Sequence, residues 1–218
     1  DNNISDFTAS FAHSFGRPNT IVDNAAQVYR MASITYSDPY AIDSSVMTLS
    51  SFNLSTANFN DYSNKYGAIK YIHSNDDSIF VIQERKSSII SVGRNIVEYA
   101  DGSSSLTVSN NILGAQNYYA GDYGVNDNPE SVVERDGRLY FCDIVAAKVL
   151  RIGGDGITPI SSYKVESFIA ETFKNAFETG NKYKVVSLYD PDKDYYMFSI
   201  NPITGSAHQA TMSFDVSA

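Results

Sequence analysis

The chain has no tryptophan, one cysteine, few basic residues and no long apolar run, and each shortage closes off a class of function. Without Trp, the sialidase-type Asp box SxDxGxTW cannot be written, and the strongest sugar-stacking face is missing. Sixteen Tyr still leave a glycan-binding platform open. A lone Cys142 excludes an internal disulfide or a CxxC metal pair. It falls inside the predicted strand Leu139–Asp143, where a free thiol serves as a small core residue rather than a nucleophile. Lys and Arg number 16 against 25 Asp and Glu, a net charge of −9. The basic residues are scattered, with pairs such as Arg85-Lys86 at most, so no phosphate-neutralising surface is expected. Acidity of this kind serves solubility, and it also suits a surface past which DNA slides without sticking. His13, His73 and His208 are too dispersed for a zinc site. No stretch approaches the roughly 18 apolar residues of a membrane-spanning helix.

What the chain does contain is a strand–turn–strand unit that recurs three times in unlike sequence. The first copy runs through Ala68–His73, the turn at Asp76-Asp77, Ser78–Gln83 and Ser88–Val92. The second runs through Ser131–Glu134, Asp136-Gly137, Arg138–Asp143 and Lys148–Ile152. The third runs through Lys184–Leu188, the turn Asp190–Asp194, Tyr195–Ile200 and Ala210–Asp215. Each is a short meander of β-branched and aromatic residues punctuated by acidic turns, the pattern of a propeller blade or of stacked meanders. The expected fold class is therefore mainly β: propeller-like antiparallel meanders with one clear α-helix and a short N-terminal helix.

The helix is predicted near 163–179. Val165, Phe168, Ile169, Thr172, Phe173, Ala176 and Phe177 share one face, Ser162 is placed to cap the start, and Gly180 ends it. Residues 1–31 read as a leader or linker. There Ile4, Phe7, Phe11 and Phe15 fall at near-helical spacing before Gly16-Arg-Pro18, and a second short helix is expected over Pro18–Arg30. Residues 32–218 read as the β domain. Ser33–Ser37 and Ser45–Leu49 look like strands, 53–65 like a polar loop, and Arg94–Pro129 like a long insertion carrying Tyr118, Tyr119 and Tyr123. Those three tyrosines are the candidate subunit contacts, since Tyr is enriched at interfaces. Roofing of the domain's own core is the competing reading. Because the chain starts at Asp1 and Met212–Ala218 still reads as mid-strand, it is expected to be part of a longer protein.

No catalytic, cofactor-binding or metal-ligating residue is assigned. Asp190-Pro-Asp-Lys-Asp194 looks at first like a calcium loop, but the sixth and twelfth positions are Tyr195 and Asn201 instead of Gly and Glu. It reads as a hairpin turn. Gly153-Gly-Asp-Gly156 is not GxGxxG and does not open a helix at once. Paired carboxylates such as Asp192 and Asp194 read as solvated turn residues.

Several phrases in order carry a family likeness: Tyr66-Gly-Ala-Ile-Lys70, Ile82-Gln-Glu-Arg-Lys86, Val92-Gly-Arg-Asn95, Gly121-Asp-Tyr-Gly124 and Asn128-Pro-Glu-Ser131. Arg138–Asp143, Lys148–Arg151, Asp155–Ser161 and Tyr189-Asp-Pro191 through Tyr196 continue it, with Phe15–Asn19 and Leu49–Asn53 upstream. In this order the chain resembles the β-propeller region of the tail nozzle, or muzzle, proteins of short-tailed bacteriophages, the crAss-like and related marine phages. The resemblance covers roughly residues 15–200. It implies a non-enzymatic virion component of the phage tail with no cofactor. Such a protein forms a homo-hexamer around the tail axis, meets adaptor- and portal-side tail proteins, and lets DNA pass during genome ejection without specific binding. A full propeller needs more blades than the three or four visible here. The alternatives from other classes are a glycan- or receptor-binding propeller module and a degenerate propeller hydrolase.

Overall fold

The computed structural model describes residues 29–37, 48–50, 52, 58–75, 77–93, 95–98, 104–107, 112–162, 165–178, 183–202 and 210–216. Fifteen strands, β1 to β15, form five antiparallel sheets among these residues. The chain is mainly β, and the described residues do not close into a propeller ring.

All three predicted meanders are present. In the first sheet, β3 (Ile69–Asn75), β4 (Ser78–Gln83) and β5 (Ser87–Val92) pair in succession, and β8 (Leu113–Tyr118) adds a fourth strand beside β5. The middle sheet runs β9 (Val133–Arg135), β10 (Arg138–Asp143), β11 (Lys148–Gly153) and β12 (Gly156–Pro159). The last sheet is β13 (Tyr183–Asp190), β14 (Tyr195–Pro202) and β15 (Ala210–Asp215). Two ribbons complete the set: β1 (Ser33–Thr35) with β2 (Phe59–Asp61), and β6 (Asn95–Glu98) with β7 (Ser104–Thr107).

Local chemistry explains the turns. Asp136 and Gly137, at φ 51° and 71°, form the two-residue connection of β9 and β10; two positive φ values are what the twist-matched primed turn requires. The β10–β11 and β13–β14 connections use a common four-residue device. An aspartate at the strand end, Asp143 or Asp190, accepts from a loop N–H, Ala146 or Asp192 respectively. A left-handed residue, Ala147 at φ 51° or Asp194 at φ 53°, then closes each loop.

Alternation along β10 decides how the sheets stack. Leu139 and Phe141 point to one face, where they join Leu150 and Ile152 against Phe80, Ile82 and Val125 of the first sheet side. Tyr140 and Cys142 point to the other, where they meet Val185, Tyr196, Phe198 and Ile200 of the last sheet. The opposite face of the first sheet is covered in turn by the β1–β2 ribbon, through Ile34 against Val81, Ile90 and Leu113. Ribbon, first sheet, middle sheet and last sheet thus pack face to face in chain order.

Helix α1 spans Glu166–Glu178, within the predicted range. It seats Ile169 and Phe173 in the core between the middle and last sheets, with Phe173 stacked on Phe198 at 5.8 Å. Two details differ from expectation. Phe168 is 60% exposed, so the buried stripe is narrower than the seven-residue face predicted. Ser162 does not cap the helix; it ends a 3-10 turn over Ile160–Ser162, and at the helix start the Ile169 N–H donates to the Val165 carbonyl.

Other expectations also shift. The supposed polar loop 53–65 contains β2 and the start of a 3-10 turn over Asn64–Tyr66. Thr48 and Leu49, expected at the end of the strand Ser45–Leu49, fall in a 3-10 turn over Thr48–Ser50. The insertion after Arg94 supplies β6, β7 and β8. The first predicted N-terminal helix, residues 18–28 of the second, Asp76, Gly180, His13 and His208 lie outside the described residues, while Tyr29 and Arg30, expected to end the second helix, are not helical.

Candidate functional site

Polar groups concentrate where sheets meet. Between the first and middle sheets, Asp143 is buried and accepts from Gly124 N–H at 2.9 Å, Ala146 N–H at 2.9 Å and Asn126 Nδ2 at 3.3 Å. Burial pushes its carboxyl above the ordinary range, against the opposing pull of these hydrogen bonds. Gly124 is obligatory here, because a Cβ would overlap the backbone carbonyls of Gln83 and Glu84. Val125 and Asn126 N–H then bond to those same two carbonyls. Gln83 is fully buried and donates to Ser63 and Gly67 carbonyls at 3.0 and 2.9 Å. Lys86 reaches the Gly121 carbonyl and the Asp122 carboxylate, both at 2.8 Å. Every member is satisfied within the protein, so this region works as a clamp that fixes one sheet upon the next.

A second clamp joins the middle and last sheets. The Tyr196 hydroxyl donates to the Ser131 carbonyl at 2.8 Å. A phenol has one proton, so the Ser187 hydroxyl at 2.7 Å and the Cys142 thiol at 3.4 Å act as donors to it. Asn128 Oδ1 accepts from Val185 N–H at 3.0 Å, and Ser131 Oγ accepts from Cys142 N–H at 3.4 Å. Burial raises the Cys142 thiol to about 12 and holds the Tyr196 phenol well above its ordinary value. Cys142 is therefore an inert core thiol, as its place in the strand implied.

The third polar place is open. A cleft of about 190 Å³ lies between the β9–β10 hairpin and the β13–β14 end of the last sheet, lined by Arg135, Asp136, Arg138, Tyr140, Tyr189, Asp194 and Val216. Arg135 pairs with Asp136 at 3.1 Å and lies over the Tyr189 ring at 5.5 Å. The Tyr189 hydroxyl donates to Asp194 at 2.8 Å, which raises its own ionisation range. Sequence reasoning missed this cleft. Its signal was two like charges, Arg135 and Arg138, flanking the Asp136-Gly137 turn.

The three candidate interface tyrosines separate. Tyr118 is exposed and tilts against Tyr66 at 5.1 Å, with its hydroxyl donating to Gln116. Tyr119 and Tyr123 are partly buried and pack on the cluster between the first and middle sheets. Asp190 and Asp192 behave as turn residues, joined by the Asp192 N–H bond to the Asp190 carboxylate. Among the described residues, no three His, Cys, Asp or Glu side chains gather as a metal site. No described helix is long and apolar enough to cross a membrane. No family model matches the chain, and no curated protein matches its sequence.

Proposed function

We propose that the protein is a virion structural component, part of the tail nozzle of a short-tailed phage, in which these sheets serve as propeller-like blades of a channel wall. The observation that carries this reading is the face-to-face packing of three successive meanders in chain order, which the middle sheet, enclosed on both sides, makes rigid. Scaffolds that must resist local opening need many paired strands and satisfied polar clamps, and both occur here. The last sheet supports the same reading from its outer face. Val186 and Leu188 stand 48% and 54% exposed there, where a further sheet or a neighbouring subunit would be received. Tyr118 is the exposed member of the proposed subunit contacts. The net charge of −9 suits a lumen that repels DNA phosphate and does not hold it.

In this reading the chain acts without catalysis or cofactor, and it assembles as a hexamer with adaptor- and portal-side proteins in the phage tail. Negative-stain imaging of the assembled gene product tests it. Sixfold rings are expected; monodisperse monomers at micromolar concentration, with saturable binding on a glycan array, would replace it with the receptor-binding alternative.

A further inference from the structure

The cleft beside the β9–β10 hairpin contains two features that the scaffold does not use. Arg135 and Arg138 are directly opposed across the hairpin, and like charges in that position repel. Asp136 answers Arg135, while Asp155, the acid nearest the β11–β12 turn, is taken by Arg151. Arg138 has no ion pair or hydrogen bond among the described residues. The second feature is Tyr140. It is 3% exposed and its ring stacks on Tyr196 at 5.8 Å, yet its hydroxyl has no hydrogen-bond partner among the described residues, and Tyr140 lines the cleft. The ring is buried while the hydroxyl is open to the cleft, where it is placed to donate to a bound group.

We propose that this cleft binds a carboxylate group. Arg138 grips it with two parallel N–H donors, Tyr140 donates a third hydrogen bond, and Arg135 forms the second cationic wall. Charge selects the class of anion. The lining carries two arginines and two carboxylates; Asp136 is paired with Arg135, so Arg138 is the cation without an adjacent ion pair, which suits one carboxylate, whereas a phosphate dianion would meet stronger repulsion from Asp136 and Asp194. Size selects the rest. About 190 Å³ is below the roughly 300 Å³ at which pockets for whole small molecules begin, so the cleft takes an acidic end group with a few carbons. That group comes from a free small acid or from an acidic side chain of a peptide.

The test follows the Arg138 Nε–Hε resonance by NMR during separate titrations with glutarate, a capped Ala-Glu-Ala peptide and inorganic phosphate. Saturable shifts with a Kd of about 1 mM or tighter are expected for the carboxylates. Peptide alone would assign an acidic protein segment, glutarate alone a free acid, and both together the shared group; each supports the site. Arg138→Gln, followed through the Gly137 and Tyr140 backbone amide resonances because the variant has no guanidinium, is expected to weaken carboxylate binding at least about tenfold, roughly the loss of one charge-assisted bond. Tyr140→Phe is expected to weaken it similarly while leaving the melting temperature unchanged, because the hydroxyl has no partner among the described residues. Absence of saturation to about 50 mM, tighter binding of phosphate, or undiminished binding by either variant would overturn the proposal.

Discussion

The middle and last sheets are built from the same meander and differ in what lies on either side of them. The middle sheet is covered on both faces, and β10 reads Leu-Tyr-Phe-Cys-Asp from 139 to 143 with every one of these residues buried. The last sheet is covered on one face, and β15 alternates between half-buried and exposed positions throughout. Continuous apolarity in a strand thus marks a sheet enclosed on two sides, and alternation marks a sheet at the end of the stack. The two joints also differ. Aliphatic residues dominate between the first and middle sheets, whereas Tyr140, Tyr196, Phe198, Phe173 and Phe214 form an aromatic series between the middle and last, with ring spacings of 5.8 to 6.0 Å.

The comparison is most sharply tested by one substitution made in both sheets. Leu150→Ala, at a position fully buried in the middle sheet, is expected to cost about 2–5 kcal/mol through lost transfer energy and a residual cavity. Leu188→Ala, on the outer face of the last sheet, is expected to stay within about 0.5 kcal/mol in the isolated chain. Urea denaturation measures both, and similar losses would place the two leucines in similar surroundings. Gly124→Ala should follow, at about 1–3 kcal/mol, because the added methyl meets backbone that cannot rotate away.

Two tyrosines offer a matched pair at the aromatic joint. Tyr196→Phe removes the hydroxyl that satisfies the Ser131 carbonyl, an expected loss of about 1–3 kcal/mol. Tyr140→Phe removes a hydroxyl with no partner among the described residues and should be near neutral, within about 0.5 kcal/mol. Equal effects would mean that the Tyr196 network contributes nothing beyond ring packing.

The smallest effect expected is in pH dependence. Burial raises the folded-state pKa of Asp143 above its ordinary 3.8, so the folded chain holds this proton more tightly than the unfolded one. Its contribution is complete below 3.8 and declines as pH rises through the raised value. Asp61 has the opposite sign. The Ser33 hydroxyl and the Arg30 guanidinium lower its pKa, so its contribution is present above 3.8 and fades as pH falls through the lowered value. Denaturation of the wild type and Asp143→Asn at stepped pH should show their stability difference shifting against the wild type as pH rises from about 4. A difference shifting the other way would show that hydrogen bonds to the carboxylate outweigh its burial.

Much of the β architecture could be read from residue order, and the reasons are specific. Asp136-Gly137 announced a hairpin, and the runs 78–83 and 138–143 announced strands, because local turn chemistry and β-branched content act within a few residues. Strand β8 was hidden inside the insertion because Leu-Gly-Ala-Gln-Asn-Tyr from 113 to 118 has little β preference; it is a strand because β5 offers an edge to pair with. The β1–β2 pairing, Ser33 with Asp61, spans a separation that no local pattern encodes. Asp143 reads in sequence as a strand end before a turn. Its burial depends on Gly124 and Asn126 arriving from a distant loop. Only one wall of the Arg135–Arg138 cleft leaves a local sign in the sequence, since Tyr189 and Asp194 come from another sheet.

Cys142 provides the most direct measurement of the stack itself, since it is the chain's single thiol and sits fully buried on the middle sheet between two neighbours. Its labelling by a thiol reagent should be followed in the native state across low urea concentrations. An enclosed middle sheet predicts modification only through global unfolding, with the urea dependence of the rate matching that of complete denaturation. Labelling that is fast without urea, or that shows a much weaker urea dependence, would contradict the account by showing that the last sheet or α1 lifts away independently.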